Sequence, residues 1–207
     1  MCRHEDKLKF SFPTNFFSTC DIPNLAVFHS QSREDAALYE RFCKNPTKYN
    51  GTIVEMGALG GQLFSISKFF EDYLGWRSIL VEASPYNFKK LAKNRPHSIK
   101  YNTAMCRQAH IEFVGSEAVG GIEKYMSEKH TNGWIPNNSQ KIVVNCSRLH
   151  SILRDITHIN IFILDVEGGE LEALQTMYWN IPGDFWVIEL DNSNPEKDRA
   201  VSDLLLS

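Results

Sequence analysis

The feature that most constrains this chain is a short apolar strand that runs into a glycine-rich turn between Thr52 and Gly61, with the letters Thr-Ile-Val-Glu-Met-Gly-Ala-Leu-Gly-Gly. An amphipathic helix is predicted directly behind the turn. Its apolar positions are Leu63, Ile66, Phe69, Phe70, Tyr73 and Leu74. Glycines let a backbone approach a ligand closely, and junctions of this kind bind nucleotide-like molecules. The turn therefore predicts such a ligand above the end of the strand.

Two acidic residues indicate the charge of that ligand. Glu55 stands two positions ahead of the first glycine, where its charge would repel a pyrophosphate and attract the ammonium and sulfonium of S-adenosylmethionine. The glycine spacing also differs from Gly-x-Gly-x-x-Gly, which disfavours a nicotinamide-dependent oxidoreductase. Glu82 follows the next apolar strand, where such folds place the carboxylate that binds the ribose hydroxyls. The alternative is a structural turn in which both acids are solvated strand ends.

Apolar strands and amphipathic helices alternate along the rest of the chain. The near-continuous apolar run 159–164 is typical of a central parallel strand, and Asp165 follows it. A further apolar strand over 185–190 ends near Glu189 and Asp191. This alternation predicts an α/β protein with a mostly parallel, doubly wound sheet of at least five strands and helices on both faces. The ligand is expected over the carboxyl ends of the strands.

The length of 207 residues suits one globular domain. Residues 1–28 are predicted to form an irregular arm and residues 29–207 the domain, with a long insertion at 105–141 that is expected to act as a lid or to bind an acceptor. Trp134 in this insertion is a candidate for stacking on the acceptor. Only one helix is predicted after the fifth strand, so the sheet is expected to lack its final C-terminal strands, through truncation or degeneration.

Composition excludes several classes of partner. A net charge of -3 without a basic stripe argues against nucleic acid, and Lys89, Lys90, Lys93 and Arg95 are predicted to form the solvated face of a helix. Five cysteines without Cys-x-x-Cys spacing predict neither a disulfide framework nor a zinc site. No apolar segment approaches the ~20 residues that span a bilayer, and the N-terminus is too charged for a signal peptide. A cytoplasmic protein without a membrane partner is predicted.

Several runs resemble the FkbM family of S-adenosylmethionine-dependent methyltransferases, in the family's order from about Gln31 to Asp191. They are Gln31 with Glu34 and Asp35, Val-Glu-Met-Gly-Ala-Leu-Gly-Gly, Phe-Phe-Glu with Gly-Trp, Leu-Val-Glu-Ala-Ser-Pro, Asn-Arg, and Leu-Asp-Val-Glu-Gly-Gly-Glu. The resemblance implies a Rossmann-like methyltransferase fold with S-adenosylmethionine as cofactor. It also implies methyl transfer to a hydroxyl oxygen, here of a small molecule or a glycan.

The resemblance further implies site residues by motif position. The residues implied to contact the cofactor are Glu55, Gly57, Ala58, Gly60, Gly61, Glu82, Ala83, Cys106 and Asp165. Asp165 and Glu167 are the catalytic candidates, since a carboxylate at a strand end can take the proton of an acceptor hydroxyl. Helix capping is the alternative role for Asp165. An oxygen-ligand site for a hard cation such as magnesium, at these two acids with Glu189 and Asp191, is the less favoured hypothesis, because the number of ligands that such ions need is not visible in the sequence.

The chain departs from the family pattern in three places. Gly60 stands where the family usually has Asp or Asn, Ile66 where it often has Asn, and Gly169 where Ala is commoner. The first two departures remove polar groups near the cofactor. The alternative function is therefore a catalytically inactive, methyltransferase-like interaction domain. His29, His150 and His158 lie near predicted element ends and are candidate bases, with a structural role as the alternative.

Overall fold

The computed structural model describes residues 28–42, 50–115, 117–190, 192 and 194–206. All but one residue of the predicted arm 1–28, and also Asp191, lie outside the described residues. The helices are α1 Glu34–Phe42, α2 Ser67–Leu74, α3 Pro85–Asn94, α4 Glu128–Trp134, α5 Leu149–Ile152, α6 Glu170–Leu174 and α7 Pro195–Leu206, with a short 3-10 helix Glu117–Val119. The strands are β1 Thr52–Met56, β2 Arg77–Glu82, β3 Ile99–Asn102, β4 Ala104–Met105, β5 His110–Val114, β6 Gly121–Ile122, β7 Ile142–Ser147, β8 Ile159–Leu164 and β9 Gly183–Ile188.

The main sheet has five strands in the order β3-β2-β1-β8-β9, and every pairing in it is parallel. In the register, Val54 of the central strand lies opposite Ile79 on one side and Phe162 on the other. The predicted α/β architecture is confirmed, and it is compatible with a Rossmann-like methyltransferase fold. Because all five strands run the same way, their carboxyl ends meet at one edge.

The two faces of the main sheet are covered by different helices, as predicted. Successive side chains of a strand point to opposite faces. Val54 packs in a core with residues of α5, α6 and α7, among them Leu174 and Val201. Its neighbour Ile53 packs in a second core with Phe69 and Phe70 of α2 and with residues of α1.

The insertion folds into a second sheet, which the sequence did not predict. Its strand order is β4-β7-β5-β6, with β5 antiparallel to both of its neighbours. The pairing of β5 with β7 joins Ile111 to Val144, which are far apart in sequence and share no local pattern. Local sequence patterns therefore cannot predict this sheet.

The helix behind the glycine turn begins later than predicted. It begins at Ser67 rather than near Leu63, and Leu63 is 69% exposed. Leu59 and Phe64 have φ values of 48° and 62°, a left-handed conformation that cannot continue a right-handed helix. Residues 57–66 therefore form an irregular connection whose amides are available to side chains.

The prediction that no disulfide forms is wrong for one pair. Cys106, the residue that follows β4, forms a disulfide bond with Cys146 of β7. Persistent disulfides belong to oxidising compartments, so the bond removes one reason for expecting a reducing environment, and the cytoplasmic location stays a prediction. Among the residues that the structure describes, no helix combines the length and the apolar character needed to cross a bilayer.

Arg95 corrects the prediction of a solvated basic face on α3. It follows the last residue of the helix and is only 1% exposed. Its Nη2 lies 2.6 Å from Glu71 Oε2, and its Nε donates to Glu71 Oε1. The guanidinium also donates to the Gly61 carbonyl and to Ser65, so it joins α3, α2 and the glycine turn.

Candidate active site

A cavity of about 820 Å³ lies over the carboxyl ends of the main sheet. This volume falls in the range of sites that bind small molecules and cofactors, roughly 300 to 1,000 Å³. Its walls include residues of the strand ends, of the start of α1 and of the insertion. Six carboxyl groups line it: Glu34, Glu55, Glu82, Asp165, Glu167 and Glu189. The convergence of strand ends that the sequence predicted is thus present in the structure.

Glu55 borders this cavity and also holds the irregular connection ahead of α2. Its Oε1 accepts a hydrogen bond of 2.7 Å from the Ile66 amide, and its Oε2 accepts bonds from the hydroxyls of Ser65 and Ser67. Burial is the largest influence on this carboxyl and raises its pKa, against the Ser67 hydrogen bond and the nearby charge of Arg95. The carboxyl therefore replaces the missing helical partners of the turn, a role that the sequence did not indicate.

Glu82 joins the glycine turn to the start of α3. It is 4% exposed. Its Oε2 accepts from the Leu59 amide at 2.8 Å and its Oε1 from the Ser84 amide at 2.7 Å. Burial raises the pKa of Glu82 to about 7, although these two hydrogen bonds oppose the rise. A carboxylate offers about four acceptor positions, so the two amides leave acceptor capacity on the cavity side.

The other predicted cofactor residues divide into two groups. Gly57 and Ala83 line the cavity. Ala58, Gly60, Gly61 and Cys106 do not belong to its lining. Ala58 is buried against Leu80 and Leu91, Gly60 and Gly61 face α3, and Cys106 is held in the disulfide. A direct contact of these four with a cofactor stays a prediction.

Asp165 and Glu189 form a carboxyl pair at the end of β8 and β9. The Glu189 amide donates to the Leu164 carbonyl, so the two side chains leave adjacent strands at the same level. The two carboxyl groups influence each other's pKa. Burial and then the negative charge of Asp165 raise the pKa of Glu189 to about 9, and burial also raises the pKa of Asp165. Both side chains are nevertheless open to water in the cavity, which weakens the effect of burial on their pKa values.

A pH dependence of stability follows from this pair. The folded pKa of Glu189 lies above its ordinary value of 4.5, so its contribution is complete below about pH 4.5 and is lost as the pH rises toward 9. We expect the wild type to lose stability relative to Glu189→Gln over this interval in thermal unfolding, by a modest amount, because cavity water reaches both side chains. Parallel curves for the two proteins would contradict the raised pKa of Glu189.

The insertion adds cavity residues that the sequence did not single out. His130, the third residue of α4, lines the cavity together with Lys129 and Trp134. His130 Nδ1 lies 3.2 Å from Glu167 Oε2. Trp134, the candidate for stacking, is 66% exposed. No local signal marks His130, because its partner is distant in sequence.

The three histidines that the sequence did single out do not line the cavity. His150 lies against the Thr176 carbonyl and stacks on Tyr178, and His158 pairs with Asp184. Among the residues that the structure describes, no group of three or more His, Cys, Asp or Glu side chains is arranged to hold a metal ion. The structural role is thus supported for His150 and His158.

The sequence profile described as the methyltransferase FkbM domain matches residues 55–206. The match covers most of the chain. The chain belongs to the FkbM methyltransferase family. Comparisons with curated proteins and with solved structures found no match.

The FkbM domain includes the strand ends that build the cavity. It begins at Glu55 and contains β2, β8, β9 and the whole insertion, whereas α1 precedes it. Gly60 and Ile66 stand where the family usually has polar residues. Ile66 lines the cavity and Gly60 does not. Of these two differences from the family, only the one at Ile66 therefore changes the cavity wall.

Proposed function

We propose that this FkbM protein is an S-adenosylmethionine-dependent methyltransferase that acts on a hydroxyl oxygen of a small molecule or a glycan. The observation that carries the proposal is the meeting of Glu55 and Glu82, at the ends of β1 and β2, on one cavity of an FkbM domain. Acidic groups there suit a cationic nucleoside cofactor and disfavour a pyrophosphate.

The residues around Glu82 fit the nucleoside part of this cofactor. Glu82 has acceptor positions for two ribose hydroxyls beside the amides that it already binds. Next to it the cavity wall is apolar, with Ala83, Ala104, Met105 and Phe113, which suits a flat aromatic base. When bound, S-adenosylmethionine supplies a methyl carbon activated by the adjacent sulfonium.

The acceptor is expected near Asp165 and Glu167, on the side of the cavity where the insertion lies. The task of the protein is to hold the acceptor oxygen about 3 Å from the methyl carbon and in line with the breaking bond. When the methyl carbon leaves the sulfur, with S-adenosylhomocysteine as the leaving group, Asp165 would take the proton of the acceptor hydroxyl. The raised pKa of Asp165 makes it a stronger base near neutral pH. Trp134 offers a ring on which a sugar can stack.

Calorimetric titration of Glu82→Gln tests the cofactor assignment. We expect the variant to bind S-adenosylmethionine roughly 10- to 100-fold more weakly above the Glu82 pKa of about 7, because each hydrogen bond to a charged group contributes about 1.5 to 3 kcal/mol. Glu112→Gln is the matched control, since Glu112 is an exposed residue of β5 outside the cavity lining. Its affinity should equal that of the wild type.

Other outcomes separate the competing functions. A wild-type protein that binds neither S-adenosylmethionine nor S-adenosylhomocysteine would contradict the proposal. Cofactor binding without transfer of a labelled methyl group to hydroxylated acceptors would favour the inactive interaction domain. Preference for NAD over S-adenosylmethionine would favour an oxidoreductase.

A further inference from the structure

The insertion meets the turn between β8 and α6 through His130. The Nε2 of His130 lies 3.1 Å from the Val119 carbonyl oxygen, and its Nδ1 lies 3.2 Å from Glu167 Oε2. Both side chains are largely enclosed, with 13% and 22% of their surface exposed. The ring thus connects the 3-10 helix of the insertion to the turn between β8 and α6.

The two partners of the ring occupy both of its nitrogens. The Nε2 faces the Val119 carbonyl oxygen, which only accepts hydrogen bonds. The Nδ1 faces the Glu167 carboxyl group at contact distance. With both nitrogens engaged, His130 cannot take a proton from an acceptor without breaking one of these contacts. This arrangement suits a group that orients a neighbour better than it suits a base.

The backbone at Glu167 is held in an unusual conformation. Glu167 has φ of 54°, in the left-handed region, which is unfavourable for a residue other than glycine. Such residues persist where the surroundings determine the conformation, often at functional sites. The next residue, Gly168, has no room for a side chain, because a Cβ there would lie 2.4 Å from the Tyr125 carbonyl oxygen. A Cβ on Gly121 would lie 3.0 Å from Glu167 Cβ.

We propose that His130 is a positioning residue of the methyl-transfer site, which holds the Glu167 carboxylate in the cavity through its Nδ1. Gly121 and Gly168 allow the insertion to lie close to the turn that carries Glu167. In this arrangement the His130 ring fixes the direction of the Glu167 side chain. Asp165 lines the same cavity two residues earlier. The catalytic meaning of this arrangement rests on the proposed methyltransferase function, whereas the contact itself does not.

Three substitutions separate the two contacts of the ring. His130→Asn keeps a donor near the position of Nδ1, His130→Gln keeps one near Nε2, and His130→Ala keeps neither. The carboxyl carbon of Glu167 is followed by NMR in protein labelled with carbon-13 in its glutamates, without any ligand. We expect this signal to stay near its wild-type position in His130→Asn and to move in His130→Gln and His130→Ala. A signal that is unchanged in all three variants would overturn the proposal.

Binding and turnover provide a second measurement. All variants should bind S-adenosylmethionine within about 2-fold of the wild type, because Glu55 and Glu82 are untouched. With labelled S-adenosylmethionine and a mixture of methyl glycosides, we expect at least a 10-fold loss of methyl transfer in His130→Gln and less than 3-fold in His130→Asn. Equal losses in these two variants would point to a purely structural role and overturn the proposal. If the wild type transfers no methyl group, the proposed function fails, and the Glu167 signal still decides the positioning role.

Discussion

Replacement of Arg95 with methionine is expected to lower the free energy of unfolding by about 3 to 5 kcal/mol, because it leaves the partners of a buried guanidinium uncompensated. Arg95 binds both carboxylate oxygens of Glu71. Burial alone would raise the pKa of Glu71, but the hydrogen bonds from Arg95 and Ser98 outweigh it and the pKa is lowered. Without the arginine, Glu71 would be a half-buried charge that has lost its cationic partner.

Lys93→Met is the control for this substitution. Lys93 lies two residues earlier and is exposed to solvent, so its replacement should change the stability by less than about 0.5 kcal/mol. Chemical denaturation of the two variants beside the wild type measures the difference. A loss of less than about 1 kcal/mol in Arg95→Met would show that the network does not stabilise the fold. The slope of the transition should be unchanged if the native state stays compact.

Gly57→Val is expected to destabilise the protein by roughly 2 to 5 kcal/mol, the sum of left-handed backbone strain and overpacking. Gly57 has φ of 81°, and a Cβ there would lie 1.8 Å from the Asp165 carbonyl oxygen. A flexible side chain can move aside, but this contact is with backbone at the end of a central strand. The ends of β1 and β8 would have to separate.

That separation would also disturb the cavity. A displacement of about 1 Å in a binding site can reduce function 100-fold, so calorimetry should detect no S-adenosylmethionine binding by Gly57→Val at concentrations that saturate the wild type. Gly133→Ala is the control, at a glycine of α4 that does not line the cavity. A Cβ there would meet no atom within 4 Å, and its φ is not in the left-handed region. Wild-type affinity in Gly57→Val would disprove the close approach of the two strand ends.

The main sheet was predictable because its signals are local. The strand 159–164 lies at its predicted residues, since an unbroken apolar run of that length has few other buried conformations. Ser84 and Pro85 begin α3 as their types suggest, and the Ser84 hydroxyl accepts from the Asn87 amide. The start of α2 was missed because the left-handed backbone conformation of residues such as Phe64 cannot be recognised from an apolar pattern.

Arg95 shows how a usable signal was overlooked. It lies four residues after Leu91 and seven after Phe88, which places it on the apolar face of α3 rather than the solvated one. The prediction relied on the charge of Arg95 and gave too little weight to its place on the apolar face. The disulfide had no such signal, because the approach of Cys106 and Cys146 depends on the pairing of β4 with β7.

The sequence by itself determined that this chain alternates strands and helices and that acidic residues follow its buried strands, because apolar periodicity and chain direction are properties of neighbouring residues. The tertiary structure alone decided which acids lie side by side, which nitrogen of His130 faces Glu167, and which charge is buried. These are distances between segments far apart in the chain, and they depend on strand register and loop conformation. Hydrogen bonds and pKa values respond to those distances, so the chemistry of the cavity emerges only when the segments meet.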